Sequence, residues 1–297
     1  MKRLVVALCA LLAFSACREE VTSDSYPAEM KRWRADREAR LKKEDGWLTL
    51  AGLFWLEPGE NTFGSAKPNR IAMPANAPAK CGTLTLREGQ VFFDPDPSAG
   101  MTINGQPAAA GVELLPDTDE KGPTRVSFGV MHFIVIKRGE KFGIRVRDPE
   151  SPARVAFRGL DYYPADARWR VNARLERYGP PKKVPITNVI GMTSDETSPG
   201  ALVFELEGTT YRLDPIMESG SDELFVIFKD ATSRDTTYPA GRYLYAAMPG
   251  AGGRVILDFN KAYNPPCAFT PFATCPLPPR QNRIAARVEA GEKNYGH

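Results

Sequence analysis

The 297-residue chain has two histidines, His132 and His297, and their scarcity excludes much familiar chemistry. A Ser-His-Asp hydrolase and a His-rich zinc centre both need imidazoles placed by neighbours. His132 lies between Met131 and Phe133 in a strand-like run, which predicts a structural role, and His297 is the last residue. The chain also lacks a P-loop, a G-x-G-x-x-G after a strand, an H-E-x-x-H and a G-x-S-x-G. These absences remove the common nucleotide, metalloprotease and serine-hydrolase solutions. A carboxylate or thiol site leaves no such mark. Excess charge of one sign is missing too, since 39 basic side chains face 36 acidic ones for a net +3. A nucleic-acid partner needs a concentrated basic field, so none is expected.

No apolar run is long enough to span a bilayer as a helix. The longest N-terminal one, Leu4 to Phe14, follows Met1-Lys2-Arg3 and precedes Ser15-Ala16-Cys17. A basic start, a short apolar centre and small residues before the break predict a secretory signal over residues 1–16. Phe14-Ser15-Ala16-Cys17 resembles a bacterial lipobox, which implies lipid on Cys17 and a membrane anchored through it. Arg18, rather than Asp, follows that cysteine. By analogy with enteric lipoproteins, this points to an outer-membrane lipoprotein facing the periplasm. Residues 17–26 would be the linker to the anchor. Residues 27–45, with Lys31-Arg32-Trp33-Arg34 and Lys42-Lys43 punctuated by acids, predict a solvated charged helix.

Cysteine is sparse. Of five, Cys9 goes with the signal and Cys17 takes lipid, leaving Cys81, Cys267 and Cys275. In an oxidising compartment Cys267 and Cys275, eight positions apart, are expected to close a disulfide loop. A two-thiolate metal or redox site is the alternative. Cys81 is expected to be a small buried hydrophobe.

The chain is rich in turn formers, with 25 Gly and 26 Pro, and from Trp47 onward shows short alternating runs between them. That pattern predicts an all-β protein of two units packed together, a β-sandwich over residues 46–150 and a β-barrel-like unit over residues 151–297. Asn104-Gly105 and Glu88-Gly89 suit hairpins because Asn and Gly tolerate positive φ. Strands are expected at Arg154–Phe157 among others, and Ser194–Pro199 is expected to be a mobile loop.

The order Pro58-Gly59, Asn61 to Ser65, Asn69-Arg70-Ile71 and Gly100 to Gly105 resembles a forkhead-associated β-sandwich over residues 46–150. The phosphothreonine-reading residues do not carry over, because Ser65 stands where that family has Arg. The tract Leu257 to Glu292, with Phe228 to Leu244 upstream, resembles the uncharacterised bacterial domain-of-unknown-function family 1684. That family has no assigned reaction to carry over, and the cofactor, if any, stays open.

The candidate site is rich in oxygen. Asp258 and Asn260 flank Phe259 and would share one strand face, with Tyr263 and Asn264 a turn away. Asp230, Tyr238 and Arg242 surround an upstream turn, while Asn282 and Glu292 come from the terminal tract. Convergence of Asp258, Glu292 and Asp230 would give an acid/base pair or hard-cation site, with Arg242 clamping an anion. Otherwise Asp258, Asn260 and Asn282 cap turns, and Arg242 pairs structurally with Asp230. The expected function is binding of a small polar ligand, a glycan or an envelope protein by the C-terminal unit. The alternative is a carboxylate-based hydrolase, with or without a bound divalent cation.

Overall fold

The computed structural model describes residues 25–296. The signal segment, Cys17 and His297 lie outside the described residues.

Helix α1, Ser25–Leu41, opens the described chain. It was expected to be solvated, yet Tyr26, Met30, Arg37 and Leu41 are buried. Their spacings of four, seven and four residues place them along one helical face. Polar straps hold that face to the C-terminal unit. Nη2 of Arg34 donates to the Tyr163 carbonyl at 2.8 Å, and Lys261 Nζ donates to Glu29 Oε1 at 2.6 Å.

The first unit contains β1 (Leu50–Trp55), β2 (Gly59–Gly64), β3 (Ile71–Ala72), β4 (Gly82–Arg87), β5 (Gln90–Pro95), β6 (Thr102–Ile103), β7 (Gln106–Pro107), β8 (Val112–Glu113), β9 (Arg125–Phe128), β10 (Met131–Arg138) and β11 (Lys141–Arg147). They form a six-stranded sheet, β1-β11-β10-β9-β6-β7, and a five-stranded one, β3-β2-β4-β5-β8. Asn104 and Gly105 have φ of 49° and 83°, which lets β6 turn directly into β7. Between the sheets Phe63, Phe93 and Phe133 meet edge to face or tilted, with centroids 5.6 to 6.3 Å apart. Cys81 is fully buried in the same core.

A short helix α2, Pro152–Ala156, follows where a strand was expected. Ser151 caps it by accepting from the Arg154 amide, and Pro152 supplies a preset φ for the first turn, so the local chemistry favours helix.

The second unit contains β12 (Arg170–Thr187), β13 (Thr193–Leu206), β14 (Thr209–Leu213), β15 (Ile216–Met217), β16 (Glu223–Phe228), β17 (Arg242–Ala247) and β18 (Arg254–Asp258). One sheet runs β14-β13-β12-β18 and the other β15-β16-β17, with β18 beside β17 and β15 beside β13. The two sheets wrap a core that includes Phe204, Phe228 and Phe259. Ser194–Pro199, expected to be a loop, lies inside β13, where Ser194 to Ser198 pair with Ile186 to Lys182. The two long strands extend past the body of the sheet as a hairpin. Beyond β18 no further strand occurs among the described residues, and the terminal tract lies along the barrel in short 3-10 turns.

Candidate functional site

A cleft of about 810 Å³ opens between α1 and the second unit. Trp33, Arg37, Arg40 and Lys43 line it from the helix and the turn after it, with Trp47 at the start of the first unit. Arg170, Tyr245, Asp258, Lys261 and Tyr263 line it from the barrel. Antiparallel pairing of β17 with β16 stacks Tyr245 on Phe225, with centroids 4.8 Å apart. Tyr263 continues the stack at 6.2 Å from Tyr245, with ring planes 13° apart. Arg37 lies over the Tyr263 ring at 4.7 Å.

Asp258 ends β18, and Phe259–Lys261 form a 3-10 turn, so Asp258 and Asn260 do not alternate along a strand as expected. The turn still brings them together. Oδ1 of Asp258 accepts from the Asn260 amide at 3.2 Å, from Asn260 Nδ2 at 3.1 Å and from the Tyr26 hydroxyl at 2.8 Å. Burial and the Asp258 carboxylate push the Tyr26 hydroxyl well above its ordinary range, so it stays a donor. Oδ2 of Asp258 is buried without a hydrogen-bond partner. Asn260 also donates to the Asp166 carbonyl at 2.8 Å, tying the turn to the segment before β12.

The other carboxylates do not join Asp258. Glu292 is fully buried; its Oε1 accepts from Arg37 Nε at 2.8 Å and its Oε2 from the Asn264 amide at 2.7 Å. Burial raises the Glu292 carboxyl above its ordinary value, and the neighbouring Arg37 opposes this. Asp230 pairs with Arg242, and neither side chain is exposed. Arg242 donates to the carbonyls of Val288 and Ala290, so it binds the terminal tract and is not placed to clamp a ligand. Asn282 accepts from the Asp214 amide and donates to the carbonyls of Asp214 and Ile227, a structural bridge. Asn264 Nδ2 donates to the Lys293 carbonyl at 2.7 Å. Of the nine expected ligand contacts, Asp258 and Tyr263 line the cleft, whereas Tyr238 and the others do not.

Cys267 and Cys275 are thiols here, not the expected disulfide. Cys267 sits on the 3-10 turn Pro266–Ala268, which aims its amide at Cys275 Sγ, 3.1 Å away. Among the described residues, no three His, Cys, Asp or Glu side chains group as a metal site.

Sequence reasoning missed Trp33, Arg40, Trp47 and Arg170 as cleft residues. No local motif joins them, because the cleft exists only once α1 docks on strands more than 200 residues later. Trp33 and Trp47, aromatic residues beside a basic run, were the one available signal.

No functionally curated protein matches the chain. An uncharacterized protein of Haloarcula marismortui, solved by NMR in solution, is similar at 32% identity over 48% of this chain and 81% of that one, with a TM-score of 0.41. The model of the family described as "Protein of unknown function (DUF1684)" matches residues 155–293, and this match supports membership of that family for the part of the chain that builds the barrel and the terminal tract.

Proposed function

We propose that the protein is a cell-envelope lipoprotein, anchored through lipid on Cys17, whose cleft between α1 and the barrel binds a small glycan. The observation that carries this reading is the lining of the cleft, where aromatic rings stand beside basic side chains with Asp258 among them. Trp33, Trp47, Tyr245 and Tyr263 give the cleft flat apolar surfaces that suit the faces of a sugar ring, while Arg40, Lys43 and Arg170 favour an anionic substituent. A few convergent polar groups among aromatic walls are the usual make-up of a small-molecule site.

Titration calorimetry of the protein against neutral and acidic mono- and oligosaccharides tests the reading. Binding should be strongest for acidic sugars, and Asp258→Asn and Tyr245→Ala should each weaken it at least tenfold, about 1.4 kcal/mol. Absence of binding across the set, or equal affinity in both variants, would refute it.

A further inference from the structure

The seam between the two units holds a second chemical feature that the cleft does not explain. Cys267 and Cys275 lie within one proline-bounded loop, with Pro265 and Pro266 before the first thiol and Pro276 directly after the second. The loop is held in place from both sides. Tyr243 Oη donates to the Pro276 carbonyl at 2.8 Å, and Thr274 Oγ1 accepts from Arg138 Nε of the first unit at 3.2 Å. The Cys267 amide donates to Cys275 Sγ at 3.1 Å, and the two side chains also hydrogen-bond to each other, so the thiols are adjacent.

They are not equivalent. Cys275 is 4% exposed, whereas Cys267 is half-buried and open to a partner. Arg145 of β11 approaches the same loop, and its Nη2 reaches Thr274 Oγ1 at 3.4 Å. Only 5% of Arg145 is exposed, and its Nε is buried without a partner. The neighbouring carboxylate is already occupied, since Asp117 accepts from both terminal nitrogens of Arg138, at 3.0 and 2.8 Å. A buried guanidinium without a bonded counter-ion favours negative charge nearby, and both cysteine sulfurs are near enough for charge on them to act on Arg145, beside the larger influence of Asp117. The hydrogen bond from Cys275, with help from Arg145, holds the Cys267 thiol below its ordinary value; the same bond and burial push Cys275 up.

We propose that Cys267 and Cys275 form a reversible dithiol–disulfide pair that exchanges with disulfide-bearing partners, with Cys267 attacking, Cys275 resolving and Arg145 positioning the charge. In the first step the Cys267 thiolate attacks one sulfur of R–S–S–R. A Cys267–S–S–R bond forms, the R–S–S–R bond breaks, and the released R–S⁻ takes a proton from water. In the second step Cys275 loses its proton to solvent and attacks Cys267 Sγ, expelling the other R–S⁻, which is protonated in turn. The balance is protein (SH)₂ plus RSSR giving protein S₂ plus two RSH, so the protein is oxidised by two electrons and the partner disulfide is reduced. The reverse reaction restores the dithiol. A structural staple differs in being formed once and resisting small thiols.

The test equilibrates the full chain with oxidised and reduced glutathione at varied ratios, then assigns each cysteine by alkylation and peptide mass mapping. Cys267 and Cys275 should interconvert between dithiol and disulfide as the ratio changes. Cys275→Ser should accumulate glutathione on Cys267, while Cys267→Ser should leave Cys275 unmodified in the folded protein. In the Cys275→Ser background, Arg145→Met should move the pH midpoint of Cys267 alkylation upward. Alkylation at neutral pH should then slow about tenfold for each pH unit the midpoint moves, and Arg145→Lys should restore it. Glutathione on Cys275 rather than Cys267, or a disulfide that reduced glutathione does not open, would overturn the proposal. An unchanged alkylation profile in a folded Arg145→Met variant would remove Arg145 from it.

Discussion

Nη2 of Arg242 lies 3.2 Å from Oδ1 of Asp230, and both side chains are wholly buried between β17 and the terminal tract. Asp230 Oδ2 accepts from the Val288 amide at 2.8 Å, while Arg242 returns a bond to the Val288 carbonyl at 2.9 Å. The pair therefore pins an irregular segment that has no strand of its own. Removing one partner leaves the other charged, buried and uncompensated, which costs about 3–5 kcal/mol. Urea denaturation of Asp230→Asn and Arg242→Met should show losses of that size. A loss under about 1 kcal/mol in both would mean that the pair is replaceable.

Arg37 and Glu292 make the matching link for α1. Glu292 has no exposed side-chain surface, so Arg37→Ala strands its carboxylate, with an expected cost again of about 3–5 kcal/mol. Because Arg37 is a central residue of the buried helix face, the loss should include undocking of α1. Amides of residues 27–41 should then exchange with solvent faster than those of β16 and β17. Uniformly unchanged protection would show that Tyr26, Met30 and Leu41 suffice to hold the helix.

How far these features could be read in advance depended on how local their causes are. The Asn104-Gly105 hairpin and the β-rich character follow from neighbouring residues, and both were legible. The pairing of Arg242 with Asp230 was legible as one of two alternatives, because twelve positions separate them around a single turn. The strand at Ser194–Pro199 was not, since its polar sequence looks like a loop until β12 pairs with it. The cleft was beyond reach altogether. Tyr26 meets Asp258 across 232 residues, and only the docked helix reveals that a charged segment has a buried face.

The proposed lipid anchor rests on Ser15-Ala16-Cys17 alone, and it is directly testable. Mass spectrometry of membrane-extracted mature protein should find acylated Cys17 at the N-terminus. Cys17→Ser should move the protein from the membrane fraction to the soluble one. A mature form that begins elsewhere and is soluble without the substitution would exclude the anchor.

His132 supplies a pH dependence whose direction is fixed by its surroundings. It is 4% exposed, and its Nδ1 lies 3.1 Å from Arg125 Nη2. A guanidinium can only donate, so this nitrogen is the acceptor and the ring is neutral. Burial first, then the charges of Arg125 and Arg147, bring the imidazole down to about 4 from its ordinary 6.5. Unfolded, the ring takes up a proton as pH falls through about 6.5; folded, it does not until about 4. The unfolded state binds more protons across that window, so stability is complete above it and declines as pH drops. At about 1.4 kcal/mol per pH unit, the decline attributable to His132 reaches at most about 3 kcal/mol near pH 4. His132→Gln cannot be protonated, so it should be less stable than the parent at pH 7 through lost packing, with the gap narrowing steadily toward pH 4. Denaturation curves of the two proteins at pH 7, 5.5 and 4.5 measure that gap. A gap that stays constant would mean that His132 titrates alike in both states and that the seam around Arg125 admits water.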